Sequence, residues 1–337
     1  MTTVPSHRPR VSFAEIAGVS WEHPADRAAL QALRAIPGFD EVVRKIIAFL
    51  GGERGIRLLF QGNAVRANPQ QYPLAHALHV EVAATFDWST LPELYITQTP
   101  VFNAGAYGVD QPFVVLHSAT LELLGEAELR VLLAHEMGHV VSGHSLYRTI
   151  AAILLAVSLG SLPFLAGIAL LPIRLAILEW SRKAELSADR AGLLGSQDVI
   201  ASQQLFMKMA GGYRGALESG QMALDPFIAQ ANEYLAANEG LDLVYKILNT
   251  LALTHPMNTV RAAELQRWIA SGDYERILRG EYVRRGAQAK ERPLTTDFKD
   301  ARDYYASEAR EAMSKVSDAA KKAAAAAREA FRKTQQK

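Results

Sequence analysis

The chain has 337 residues, long enough for one large domain or two and for a substantial buried core. Its 36 basic residues almost balance 35 acidic ones, so no charge excess directs it to nucleic acid. There is no cysteine, which excludes disulfides and thiolate metal sites and fits a reducing compartment.

Residues 1–24 have no apolar run after their basic residues, so they are not a secretory signal, and a cytoplasmic protein is expected. Residues 25–287 read as one domain in three parts. The first, 25–88, is mostly helical. Asp40 is placed to cap EVVRKIIAFL, Gly51 and Gly52 stop that helix, and residues 57–67 read as a short strand or loop. Asn68 and Pro69 then open a helix running through residues 72–86. In the second part, 91–118, LPELYIT, PVFNAGAYG and QPFVVLHS are short apolar runs broken by Pro and Gly, the pattern of a small sheet. The third part, 120–287, returns to helix. Residues 288–337 are charged and Ala-rich, an appended helix or tail. The expected class is therefore mainly α with a small β-sheet.

The chemistry concentrates in residues 126–141, EAELRVLLAHEMGHVV. Leu129, Leu132, Leu133, Met137 and Val140 mark a helix, on which His135 and His139 stand four apart on one face and can share a metal. Glu136 follows the first histidine, completing an HExxH pattern in which the glutamate reaches a water in the metal's open position. A catalytic zinc needs a third protein ligand. His144 is out of register for the longer H-E-x-x-H-x-x-G-x-x-H pattern, because Ser142 and Ser145 stand where Gly and His are required. It reads instead as a neighbour of the ligands or a helix-end residue. Glu185 and Asp189 lie four apart in a second helix with the small residues Ala184, Ala188 and Gly192. Glu185 can complete a His2Glu set, with Asp189 accepting a hydrogen bond from the free ring nitrogen of His135. Alternatively both acids pair with Arg182 or Arg190 on a solvated face.

Four segments in order resemble the HtpX-like zinc metallopeptidases, the gluzincin family that includes the CAAX prenyl proteases. They are NAGAY (103–107), HEMGHVVSGH (135–144), AELSADR (184–190) and HPMNTVR (255–261). The resemblance implies a gluzincin fold with one zinc ion per chain, held by His135, His139 and Glu185, with Glu136 as catalytic base and His144 outside the ligand set. It also implies that Asn103 and the strand Ala104, Gly105 and Ala106 pair with an extended protein or peptide substrate. His255 and Arg261 fall where the family places groups near the developing oxyanion; His255 donates a hydrogen bond there, while Arg261 alternatively anchors the fold. The family's usual bulky residue near Gly105 is missing, which leaves the subsite preference open. The implied activity is endoproteolysis of unfolded or damaged proteins. A non-catalytic or latent binding module, and a peptidase controlled by docking on a membrane or assembly, are the alternatives.

Residues 149–173 carry no charge and are long enough for one membrane span. One span, however, would separate His139 from Glu185 across a bilayer, and two need about 40 residues plus a turn. GSLP (160–163) instead divides the stretch into two helices, and a buried hairpin is favoured over one that dips into a membrane surface. The tail segment 314–337 has seven Lys/Arg against two acids, but its apolar face is mostly alanine. A solvated helix is favoured there over lipid contact.

Overall fold

Two crossed helices form the centre of the protein. The computed structural model describes residues 10–49, 52–108, 110–156, 164–237 and 253–287, together with Lys246 and Asn249. The segment 157–163 inside the apolar stretch and the tail from 288 lie outside the described residues.

Helix α1 spans Pro24–Arg34, α2 Phe39–Phe49, α3 Gly52–Asn63 and α4 Pro73–Thr85; α5 is Ser118–Leu123 and α6 Glu126–Val141. Helix α7 is Ser145–Ala156, α8 Phe164–Ser196, α9 Val199–Gly211, α10 Leu224–Ala236, α11 Asn258–Ala270 and α12 Asp273–Leu278. Four strands, β1 (Val65–Arg66), β2 (Glu93–Thr97), β3 (Ala104–Tyr107) and β4 (Phe113–His117), form one sheet in the order β1-β2-β4-β3. The β2–β4 pair is parallel and the other two are antiparallel, so β3 is an edge strand among the described residues.

Helix α6 is buried from Glu128 to Val140, polar residues included, because it lies in the middle of the core. Glu126 and Glu128 suit its N-terminal dipole, and the Glu128 carboxylate accepts from the Gly125 N–H at 3.0 Å. Its other end is a Schellman turn: Gly143, at φ +71°, donates to the Val140 carbonyl, and the N–H of His144 to that of His139. That turn folds His144 back beneath the second histidine of the motif.

Helices α6 and α8 cross closely because small residues meet there. A Cβ built on Gly138 would lie 2.4 Å from the Ala191 methyl, and one on Gly195 would lie 2.5 Å from that of Ala134. Gly138→Ala should therefore destabilise the protein by about 1–3 kcal/mol through overpacking, measured as a lowered denaturation midpoint. An unchanged midpoint would mean that the crossing yields without cost.

Several elements differ from the sequence expectation. Helix α2 begins at Phe39, so Asp40 lies inside it rather than capping it. Residues 57–63 belong to α3, leaving only Val65 and Arg66 as strand. The Asn68 side chain accepts from the N–H groups of Gln70 and Gln71, a turn that delays the next helix until Pro73 supplies its first residue. The second half of the apolar stretch is not a short helix. It is the start of the 33-residue α8, which runs on through Glu185 and Asp189. No helix among the described residues is long and apolar enough to cross a membrane. Phe13, Ile16 and Trp21, ahead of α1, are buried in the main core, and Ile16 bridges to Arg284.

Candidate metal centre

The α6–α8 crossing brings His135, His139 and Glu185 together, with one potential ligand atom from each within 4.8 Å of the others. All three are buried. His135 Nε2 faces Glu185 Oε2 at 3.3 Å, and His139 Nε2 faces Glu185 Oε1 at 3.4 Å.

The other ring nitrogens decide the tautomers. His135 Nδ1 lies 3.0 Å from Asp189 Oδ1, so its N–H donates to that carboxylate. Asp189 in turn accepts from Arg261 Nε at 2.9 Å and from Nη2 at 2.6 Å. His139 Nδ1 lies 3.1 Å from His144 Nδ1, and His144 Nε2 faces Asp26 Oδ2 at 3.3 Å. Arg148 Nη1 donates to His139 Nε2 at 2.9 Å and to Glu185 Oε1 at 2.5 Å. His139 therefore carries its proton on Nδ1, and His144 accepts there.

Two imidazole Nε2 atoms thus face one carboxylate, whose charge Arg148 balances here and a divalent cation would balance in its place. Burial opposes a charge on His135, but Glu185 and Asp189 raise it to about 9. Glu185 Oε2 is buried with no hydrogen-bond donor among the described residues. Two nitrogens and one oxygen on rigid helices fit a divalent metal with a remaining open position. Burial works against the Glu185 charge, but His255, Arg148 and His135 hold its carboxyl well below the usual range. Burial and Arg148 push His139 well below its ordinary value, and burial takes His144 to about 4, so both rings are neutral. Burial raises Glu136, against the pull of Arg148 and His135. Its Oε2 also lacks a hydrogen-bond partner among the described residues.

The remaining expected residues fall at different distances from this cluster. His255 Nε2 is 3.6 Å from Glu185 Oε2, with Thr254 Oγ1 against its Nδ1 at 2.8 Å. Arg261 is clamped on Asp189 and reaches Glu185 Oε2 only at 3.5 Å, the anchoring arrangement. Asn103 directly precedes β3: its Oδ1 accepts from the Ala104 N–H, and Thr120 Oγ1 donates to its carbonyl. Ala104, Gly105 and Ala106 lie on edge strand β3, which packs beside α6 and α7. Gly105 leaves room for the Tyr107 ring, since a Cβ there would lie 2.5 Å from the Tyr107 hydroxyl. Arg148, Tyr107 and Asp26 were not singled out from the sequence. Arg148 lies nine residues beyond His139 on the next helix and Asp26 far upstream, so no local spacing marks either.

The comparisons with known proteins agree with this geometry. Peptidase family M48 matches residues 69–269. The plastoglobule-localized metallopeptidase 48, chloroplastic, of Arabidopsis thaliana is 33% identical over 276 residues, covering 80% of this chain and 78% of that protein. No solved structure matches. M48 enzymes depend on a metal, and a histidine–histidine–glutamate cluster able to hold one is present here. The chain belongs to peptidase family M48, the HtpX-like gluzincin metallopeptidases.

Proposed function

We propose that this metallopeptidase is a zinc endopeptidase that cleaves unfolded or damaged proteins within the chain. The observation that carries the reading is the buried convergence of His135, His139 and Glu185 with Glu136 one residue from the first of them. Two imidazoles and one carboxylate favour zinc among divalent ions.

Zinc bound there would polarise the peptide carbonyl and lower the pKa of a water towards neutrality. Glu136, its pKa raised by burial, takes the proton of the attacking water and delivers it to the leaving amine. Asp189 holds His135 in the tautomer that presents Nε2. His255, beside Glu185, donates to the oxygen on which charge develops. An extended substrate adds to the β3 edge at Ala104, Gly105 and Ala106, where backbone pairing accepts many sequences. The site of action is proposed as the cytoplasm.

A second reading, a latent enzyme, is favoured by Arg148, whose guanidinium sits on the metal-facing atoms of His139 and Glu185. Both readings meet in one experiment. An unfolded protein is incubated with the enzyme after chelation and after zinc is restored, and products are identified by mass spectrometry. Internal cleavages that vanish on chelation and return with zinc support the endopeptidase. Products trimmed only from the ends would replace it with an exopeptidase. Zinc bound without any product would favour latency.

A further inference from the structure

The two histidines of the motif are oriented by different means. His135 donates directly to a carboxylate, Asp189, from the same helix that supplies Glu185. His139 donates to a neutral imidazole, His144, and the carboxylate lies one ring further on, at Asp26. Arg148 fixes the direction of the chain of protons, because its donation to His139 Nε2 requires the His139 proton on Nδ1. His144 must then accept on Nδ1 and carry its own proton on Nε2, the nitrogen that faces Asp26.

Asp26 belongs to α1, ahead of the M48 match at residues 69–269. Its side chain is almost fully buried. Oδ2 accepts from the Ser187 hydroxyl at 2.6 Å, and Ser187 accepts from the His23 N–H at 2.8 Å, which ties the first turn of α1 to α8. Oδ1 has no hydrogen-bond donor among the described residues. Burial pushes this carboxyl up to about 7, against the pull of Ser187, Trp180, Arg27 and Arg190. A buried acid with one unpaired oxygen costs the fold stability. Glu22, raised to about 7 by burial and Asp26, is a second acid whose charge is felt at His144. The carboxylate that meets the His144 ring, however, is that of Asp26, at 3.3 Å.

We infer that Asp26 is a positioning residue for the metal centre: acting through His144, it locks His139 with its Nε2 lone pair towards the metal. The helix before the family domain is thus part of the peptidase site. The inference rests on the reading of His135, His139 and Glu185 as ligands.

The test is zinc affinity of the full chain at pH 8, by chelator competition on protein stripped of metal, with the thermal midpoint of each metal-free variant measured in parallel. Asp26→Asn keeps the size of the side chain and is expected to raise the zinc Kd by about tenfold or more. Its metal-free midpoint stays at or above that of wild type. His144→Leu gives a similar loss, and the double variant is no worse than the poorer single one, because both act along one chain. Glu22→Gln stays within about twofold of wild type, and cobalt(II) spectra of Asp26→Asn shift where those of Glu22→Gln do not. The proposal is overturned if Asp26→Asn binds zinc like wild type while Glu185→Ala loses it. It is also overturned if Glu22→Gln weakens binding equally, or if the loss in Asp26→Asn tracks a lowered metal-free midpoint. Should Glu185→Ala bind zinc like wild type, the ligand assignment itself fails and this inference with it.

Discussion

Glu136→Gln is expected to lower peptide hydrolysis on the order of 10²–10⁴-fold while metal content stays at the wild-type level. The glutamine matches the glutamate in shape, so the tightly packed α6 around it need not move. It cannot take a proton, and that is the only property the proposed step asks of this side chain. Burial already weakens the carboxylic acid, which brings its pKa nearer to the working pH than that of an exposed glutamate. Its Oε2 has no hydrogen-bond partner among the described residues, so none is lost at that atom with the substitution. Turnover of an unfolded protein, together with metal analysis of the same samples, decides the point. Equal cleavage by variant and wild type would remove Glu136 from the mechanism. Loss of metal along with activity would instead make it a structural support of the site.

Asp189→Ala carries the largest expected effect on stability, a loss of about 3–5 kcal/mol. The carboxylate accepts two hydrogen bonds from Arg261 and one from His135, and all three residues are buried. Arg261 and His135 hold its pKa below the usual range in spite of burial. Removing the acid leaves a guanidinium without its principal counter-charge in a dry site, next to a histidine that has lost its acceptor. Denaturant unfolding of the metal-free protein measures the loss. Asp189→Leu with Arg261→Met should recover much of that stability, since an apolar pair removes both charges together. The same pair should still bind metal weakly, because His135 would lack its orienting acceptor. A loss below about 1 kcal/mol for Asp189→Ala would show that water enters and takes over the role of the carboxylate.

Much of the site was legible because helices repeat. Four-residue spacing puts His135 and His139 on one face, and puts Glu185 and Asp189 on one face of another helix, whatever the surroundings. The misplaced Ser142 and Ser145 were enough to set His144 apart from the ligands. Its actual place, folded back under His139 by the left-handed turn at Gly143, needed the chain traced in space. The apolar stretch shows the opposite limit. Composition located it and its length argued against two full spans, but neither could say that its second half continues into the 33-residue helix bearing Glu185. Periodicity is uninformative in a helix that is apolar on most faces. Asn103 likewise read as a substrate contact through its motif, and the tertiary structure adds that its Oδ1 accepts from the Ala104 N–H at the start of β3.

By itself the sequence determined the local chemistry: the HExxH helix, the paired acids downstream, the small residues that let two helices approach, and the mainly α class with its short strands. These depend on the 3.6-residue period, on side-chain size and on turn-forming residues, all properties of neighbours along the chain. Only the tertiary structure decided which carboxylate serves which histidine. Asp26 meets His144, Arg148 meets His139 and Glu185, and Arg261 meets Asp189 because helices distant in sequence pack on the α6–α8 crossing. Contacts of that kind arise from burial, which holds charges together across the core but leaves no spacing in the sequence to mark them.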